Sequence, residues 1–277
     1  MPDDKCDQAD LDQRVLDYYG GDFDENGRLV GRSDQGVLEF ERTQEFVTQR
    51  VPAGSRVLDV GGATGIHAAP LAARGDVVTL IDPVPSHVAA ASQHGTFDAQ
   101  VGDARSLPQS SESVDAVLLL GPLYHLAGRD DRLRAIREAV RVTRPGGYVF
   151  AGAISRTMAH VFSGSIAPAR SPEPMQRSPY PPDLLQLLED GSTEHLRKGF
   201  PGGHFHYSEE LADELTEAGL VDVEVHGLEG PGGMPLEVDR IHDDELRAAA
   251  MLLARRFSDA PGLRDLSQHL LGIGRRP

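Results

Sequence analysis

Two acids, a glycine turn and a histidine carry the chemistry legible in this chain. Asp59-Val60-Gly61-Gly62-Ala63-Thr64-Gly65 sets an acid two residues ahead of a glycine-rich turn, and Asp82 closes a second apolar run. Gly61 and Gly65 can take positive φ or let a ligand approach the backbone. A helix that starts after such a turn offers backbone N–H groups to that ligand. A carboxylate roughly 20 residues after the turn can accept both hydroxyls of a ribose. A dinucleotide fingerprint would need glycine at 63 and 66, where the chain has Ala63 and Ile66. The pattern points to a nucleoside-bearing ligand of another kind, although the turn alone also suits an unrelated α/β connection. His125, in Gly121-Pro122-Leu123-Tyr124-His125-Leu126, is the candidate base, since imidazole titrates near neutrality.

These residues need elements to hold them. Arg56–Val60 reads as a strand and residues 66–74 as a helix. Val77–Ile81 and Val114–Leu120 are continuous apolar runs, as parallel strands covered on both faces require. Ahead of them, residues 10–19 place Leu11, Val15, Leu16 and Tyr19 at helical spacing. Val37 to Val51 forms a second amphipathic helix with Leu38, Phe46 and Val47 on one side. Between Ile154 and Tyr207, Pro168, Pro172, Pro174, Pro179, Pro181 and Pro182 leave Asp183 to Asp190 as the clear helical piece. Ser208 reads as the N-cap of a helix to Ala218, with Gly219 as its stop. Val221–Val225 then reads as a half-exposed strand, 243–257 as a helix and Leu270–Gly274 as the last strand.

The spacing Asp-x-Gly-x-x-x-Gly resembles motif I of the class I S-adenosylmethionine-dependent methyltransferases, written (D/E)-x-G-x-G-x-G, with Ala63 replacing the middle glycine. Ala99 to Ala104 resembles that family's third strand end, and Arg144-Pro145-Gly146-Gly147 matches its turn into the fifth strand. The ordered matches cover residues 56 to 153. The resemblance implies an α/β, Rossmann-like fold: a seven-stranded, mostly parallel sheet with the last strand antiparallel, an N-terminal helical cap, and a lid insert after the fifth strand. The chain then divides into a cap (1–50), a cofactor-binding core (51–154), a substrate lid (155–207) and the C-terminal part of the sheet (208–277).

The cofactor implied is S-adenosylmethionine, with S-adenosylhomocysteine as product. Asp59, Gly61, Gly62, Ala63, Gly65, Asp82, Pro83, Asp103, Ala104 and Leu120 would line its site. Asp103 would accept from the adenine amino group and the Ala104 N–H would donate to the ring; taken alone, Asp103 reads equally as a cap. The N-terminal helices would bring Tyr18, Tyr19, Glu39, Arg42 and Thr43 toward the ligand. Arg42 suits the methionine carboxylate, and equally a plain pairing with Glu39 or Glu45.

Methyl transfer from a sulfonium is an in-line displacement whose thioether leaving group needs no acid, so the protein chiefly desolvates and aligns the reactants. A hydroxyl or protonated amine acceptor must also lose a proton. His125, just beyond the fourth strand, is the first candidate for that task; its alternative is a packed histidine bonded to backbone. His204 and His206 are the second, lying at i and i+2 on one side of an extended segment. They have no third ligand at metal spacing, so no metal is expected. His67 follows the glycine turn and packs or touches the cofactor, whereas His87 and His94 read as solvent-facing. There is no Gly-x-Ser-x-Gly elbow, P-loop or Cys-x-x-Cys. The same cofactor motifs also fit a non-methylating binder, cyclase-like or ligand-sensing.

The formal charge of −16 repels phosphodiester backbones, and no basic patch with interleaved aromatics offsets it. Small neutral or cationic molecules are the expected partners, with no nucleic acid and no membrane, the chain acting as a monomer or homodimer. No run approaches the roughly 18 to 20 apolar residues of a membrane helix. The start Met1-Pro2-Asp3-Asp4-Lys5 lacks a signal-peptide pattern, which suggests a cytoplasmic location. The single cysteine, Cys6, excludes an internal disulfide. Only Lys5 and Lys198 are lysines among 27 basic residues, a bias of GC-rich genomes and, by association, of specialised metabolism.

Overall fold

The computed structural model describes residues 7–21, 25–161, 187–193, 200–239 and 242–277. At its centre lie seven strands: β1 (Arg56–Val60), β2 (Val77–Asp82), β3 (Asp98–Val101), β4 (Val114–Leu119), β5 (Thr143–Ile154), β6 (Val221–Gly227) and β7 (His269–Arg275). They form one sheet in the order β3-β2-β1-β4-β5-β7-β6. Strands β1 to β5 pair in parallel, and β7 runs antiparallel to both β5 and β6. The expected sheet, with its one antiparallel strand, is observed.

Helices α1 (Gln8–Tyr19), α2 (Glu25–Val30) and α3 (Asp34–Arg50) precede the sheet, and α4 (Ala68–Ala73), α5 (Pro85–Ser92) and α6 (Arg129–Val142) connect its strands. After β5 come α7 (Arg156–Val161) and α8 (Ser208–Glu217), then α9 (Gly233–Asp239) and α10 (Asp244–Phe257). Alternation along each strand sends neighbouring side chains to opposite faces. Leu58, Val60, Val117, Leu119, Val149 and Ala151 join one buried cluster with Ile136 and Ala139 of α6 and Leu211 and Leu215 of α8. Val57, Ala116, Leu118 and Phe150 join the other with Phe46 and Val47 of α3, Leu71 of α4 and Ala91 of α5. Because both faces are covered, both sets are apolar, and these strands read as unbroken runs.

Local details differ from expectation. Helix α3 starts at Asp34, before Val37, because Asp34 is buried and accepts from the Asp243 backbone N–H at 2.9 Å. Tyr207, not Ser208, is the N-cap of α8; the Ser208 hydroxyl donates to Asp265 Oδ2 at 2.5 Å and is spent on that contact. Gly219 does stop this helix, at φ +103°. The Pro-Gly-Gly turn lies within β5, where the register with β4 jumps between Val114 and Ala116. Of the helix expected at 183–190, residues 183–186 lie outside the described residues and 187–190 are helical. Among the described residues, no helix is long and apolar enough to cross a membrane.

Candidate functional site

A cavity of about 350 Å³ lies at the carboxyl ends of β1, β2 and β4, where an open α/β sheet has its ligand crevice. Asp59, Gly61, Gly62, Ala63, Asp82, Pro83, Asp103, Ala104 and Leu120 all line it, as expected. Helix α1 covers it with Asp12, Val15, Leu16 and Tyr19.

The glycine turn is shaped by close packing. Gly61 sits at φ +73° and donates its N–H to the Ile81 carbonyl at 2.7 Å. A Cβ on Gly62 would come within 2.6 Å of Asp59 Oδ2 and 2.8 Å of Leu80 Cδ1. Ala63 takes φ +48°, a conformation that costs an L-residue roughly 1–2 kcal/mol. Its N–H donates to Asp82 Oδ2 at 2.9 Å, which offsets that cost. Gly65, at φ +92°, does not line the cavity: its Cα faces the Phe97 ring, so its part is to shape the turn.

The three acids stand in different environments. Asp59 is buried, and its Oδ2 has no hydrogen-bond partner among the described residues. Burial, with the neighbouring Asp82 charge, pushes its carboxyl up to about 7. Asp82 accepts from Val84 N–H at 2.9 Å and His87 Nδ1 at 3.3 Å on Oδ1, and from Ala63 N–H on Oδ2. A carboxylate has about four acceptor positions, so these three donors leave about one open. His87 is itself buried on the cavity wall, so its reading as solvent-facing is corrected. Asp103 grips Arg105 through both oxygens, and Arg105 Nη2 reaches Asp12 Oδ2 of α1 at 2.6 Å. Burial opposes it, but the Arg105 hydrogen bonds hold the Asp103 carboxyl below the usual range. The Arg105 clasp was not legible in the sequence, because Asp12 and Arg105 are far apart along the chain.

His125 closes the 3-10 turn Pro122–His125 that follows β4 and lines the cavity. Its Nδ1 lies 3.3 Å from the Gly202 carbonyl, which can only accept, so the proton sits on Nδ1. Nε2 is therefore the basic nitrogen, and it meets the Tyr19 hydroxyl at 2.9 Å. Burial depresses the imidazole to about 4, against the opposing pull of the Gly202 carbonyl and Asp82, so it stands neutral at physiological pH.

At a charged end of the cavity Glu39 stands where the sequence placed it, and Arg28 beside it was missed. Arg28 of α2 forks onto Glu39 of α3 at 2.8 and 2.9 Å, and both line the wall with His67. Despite burial, Arg28 and His269 hold the Glu39 carboxyl at about 2. Behind it, Glu39, Glu229 and His269 bring ligand atoms within 4.8 Å of one another. Their acceptors are taken by Arg28, Gln35, Ser267 and His269, which makes this a hydrogen-bonded charge cluster. Arg28 had no signal, since α2 is six residues long and shows no amphipathic repeat. Arg42, which could equally serve the methionine carboxylate or pair with Glu39 or Glu45, takes the second part: it is buried away from the cavity. It donates to Glu45 at 2.7 Å and Ser258 at 3.1 Å, and its guanidinium lies over Phe46. Tyr18 and Thr43 do not line the cavity either; the Thr43 hydroxyl donates to the Glu39 carbonyl.

His204 and His206 do share one side of an extended segment, their rings 4.6 Å apart, but they face away from the cavity. His204 Nε2 meets Glu210 Oε1 at 2.8 Å and His206 Nε2 meets Glu214 Oε2 at 3.3 Å, both on α8. They are removed as bases, because each is buried against a carboxylate that uses the nitrogen a substrate would need. His67 accepts from Gln44 Nε2 at 3.0 Å, and burial depresses it to about 4.

A family model described as a methyltransferase domain matches residues 58–151. The ubiquinone biosynthesis O-methyltransferase of Rhizobium leguminosarum bv. trifolii is 33% identical over 234 residues, which cover 83% of this chain and 82% of that protein. The protein of the same name from Methylocella silvestris is 34% identical over 110 residues, 38% of this chain and 42% of that protein. Among solved structures, a SAM-dependent methyltransferase of Thermotoga maritima superposes with a TM-score of 0.59 at 18% identity, over 98% of this chain and 99% of that one. The [4+2]-cyclase SpnF superposes with a TM-score of 0.52 at 20% identity, over 97% and 94%. The structural matches share the fold alone, which hosts more than one chemistry.

Proposed function

The chain belongs to the S-adenosylmethionine-dependent methyltransferases, and from that premise we propose that it methylates an oxygen of a small neutral or cationic molecule, with His125 as general base. When bound, S-adenosylmethionine supplies a methyl group activated on a sulfonium. The residues present fit it: the Gly61–Ala63 turn lines the cavity, packed tightly on Pro122, Asp59 and Leu80, Asp82 keeps an acceptor position for a ribose hydroxyl, and the orphaned Asp59 oxygen suits a cationic ligand. The Arg28–Glu39 ion pair forms the polar wall that would meet the α-amino acid end.

The observation that carries the reading is the neutral His125 on the wall of that same cavity, its Nε2 facing Tyr19. The acceptor's proton passes to the Tyr19 oxygen as Tyr19 hands its own proton to Nε2, leaving an imidazolium steadied by the Gly202 carbonyl. The names of the relatives favour oxygen over nitrogen. The net charge of −16 supports a small acceptor and not nucleic acid. The wider reading is a cytoplasmic monomer or homodimer of specialised metabolism, organised as cap (1–50), core (51–154), lid (155–207) and closing segment (208–277).

Methyl-labelled donor, incubated with panels of phenols, alcohols and amines, tests this. Label on an oxygen product, lost in His125→Ala, supports it. Label on nitrogen corrects the acceptor atom. Tight donor binding with no incorporation overturns it in favour of a cyclase-like or ligand-sensing role.

A further inference from the structure

We propose that residues 200–206 form a strap that sets the tautomer of His125, and that Gly203 and His204 are its positioning residues. The inference rests on the reading of His125 as base only for its catalytic consequence; the tautomer stands by itself. The strap is seated on the 3-10 turn that carries His125. The His204 N–H donates to the Tyr124 carbonyl at 3.2 Å, and the Gly202 carbonyl meets His125 Nδ1. Phe200 stacks on the imidazole with ring centroids 5.1 Å apart.

Gly203 makes that contact possible. It sits at φ +142°, and a Cβ there would collide with the Tyr124 carbonyl and lie 2.9 Å from the His125 Cα. No other residue type lets the two backbones approach so closely. Three further bonds hold the strap from behind. Thr193 N–H donates to the Gly203 carbonyl at 3.2 Å, Phe205 N–H to the Gly191 carbonyl at 2.9 Å, and His206 N–H to the Ile154 carbonyl at the end of β5 at 3.0 Å. The side chains finish the anchorage: His204 on Glu210, and Arg156 Nε on the Phe205 carbonyl at 3.0 Å.

The consequence is chemical. A carbonyl cannot donate, so while Gly202 holds Nδ1 the imidazole keeps its lone pair on Nε2, toward Tyr19 and the cavity. If the strap lifts, either nitrogen can carry the proton and the ring can turn.

The test uses the full-length protein labelled with 15N at histidine, the His125 signals being assigned by their loss in His125→Ala. The wild type is expected to show a protonated Nδ1 and a bare Nε2 at neutral pH. His204→Leu is expected to give mixed tautomer signals at His125. It should lower kcat by about 10- to 100-fold while leaving the donor Kd within about twofold. His204→Gln, which keeps a donor for Glu210, should restore both. Gly203→Ala should act like His204→Leu if it folds. An unchanged His125 signature in a folded His204→Leu protein overturns the strap. A changed signature with unchanged kcat upholds the strap and sinks the reading of His125 as base.

Discussion

The Tyr19 hydroxyl lies 2.9 Å from Nε2 of His125, joining α1 to the turn after β4. Helix α1 therefore contributes directly to the nitrogen that takes the acceptor's proton in the proposed mechanism. Tyr19→Phe and His125→Ala should each lower kcat by about 100-fold or more, with donor affinity nearly kept. If the two act as one relay, the double variant should be little worse than either single. Fully additive losses in steady-state kinetics would show that they act separately.

The acid limb of the rate profile should sit low. A base must be neutral to act, and burial holds His125 at about 4. Acceptor kcat/KM should then show no histidine inflection between pH 8 and pH 5, and should fall only as pH approaches about 4. An inflection near the ordinary histidine value of about 6.5 would contradict this.

Asp59 should report donor binding. Its carboxyl, pushed up to about 7 by burial and Asp82, is ionised more readily once a cation lies beside it. Near neutral pH, S-adenosylmethionine binding should release a fraction of a proton, and donor affinity should rise with pH from 6 to 8. Titration calorimetry in buffers of different ionisation enthalpy measures the release, which Asp59→Asn should abolish.

Acid should destabilise the fold well above the carboxylate range. His67, His125 and His204 are all held at about 4, burial being the main cause, whereas unfolded histidines protonate near 6.5. Between those values the unfolded chain binds more protons, so stability falls as pH drops from about 6.5 to about 4. Asp59 acts oppositely over this span: its protonated form favours the fold at low pH, a gain lost as pH rises through about 7. His226, lowered by burial, adds to the three histidines, and His269, raised against its burial by Glu39 and Glu229, joins Asp59; four groups against two should leave Tm lower at pH 5 than at pH 7 by thermal denaturation.

The Arg132–Glu214 pair ties α6 to α8, both side chains buried and Nη2 to Oε1 at 2.7 Å. Despite burial, bonds from His206 and Arg132 hold the Glu214 carboxyl at about 2. Arg132→Ala strands a buried charge and should cost about 3–5 kcal/mol in urea unfolding. The double change Arg132→Met with Glu214→Leu should cost less, since it strands no charge, though it leaves His206 Nε2 and the Leu126 and Ala127 carbonyls without these partners.

The sequence by itself determined the sheet and the cofactor. Strands buried on both faces are apolar over most of their length, Asp59 and Asp82 excepted near the carboxyl ends, so β1, β2 and β4 show plainly in one dimension. The turn at Gly61–Gly65 and the acid at 82 are local in spacing, and they led to the right ligand class. What only the tertiary structure decided was which side chains line the cavity. Arg42 and Gly65 were plausible by type and position, yet Arg42 turns toward Ser258 and Gly65 toward Phe97. Arg28 meets Glu39 from a helix too short to show a pattern. His204 and His206 look like bases on an extended segment, but α8 claims both through Glu210 and Glu214. The basic nitrogen of His125 is set by Gly202, 77 residues away. Spacing encodes contacts only within one element; a hydrogen bond between distant elements depends on how they pack, and no local pattern records it.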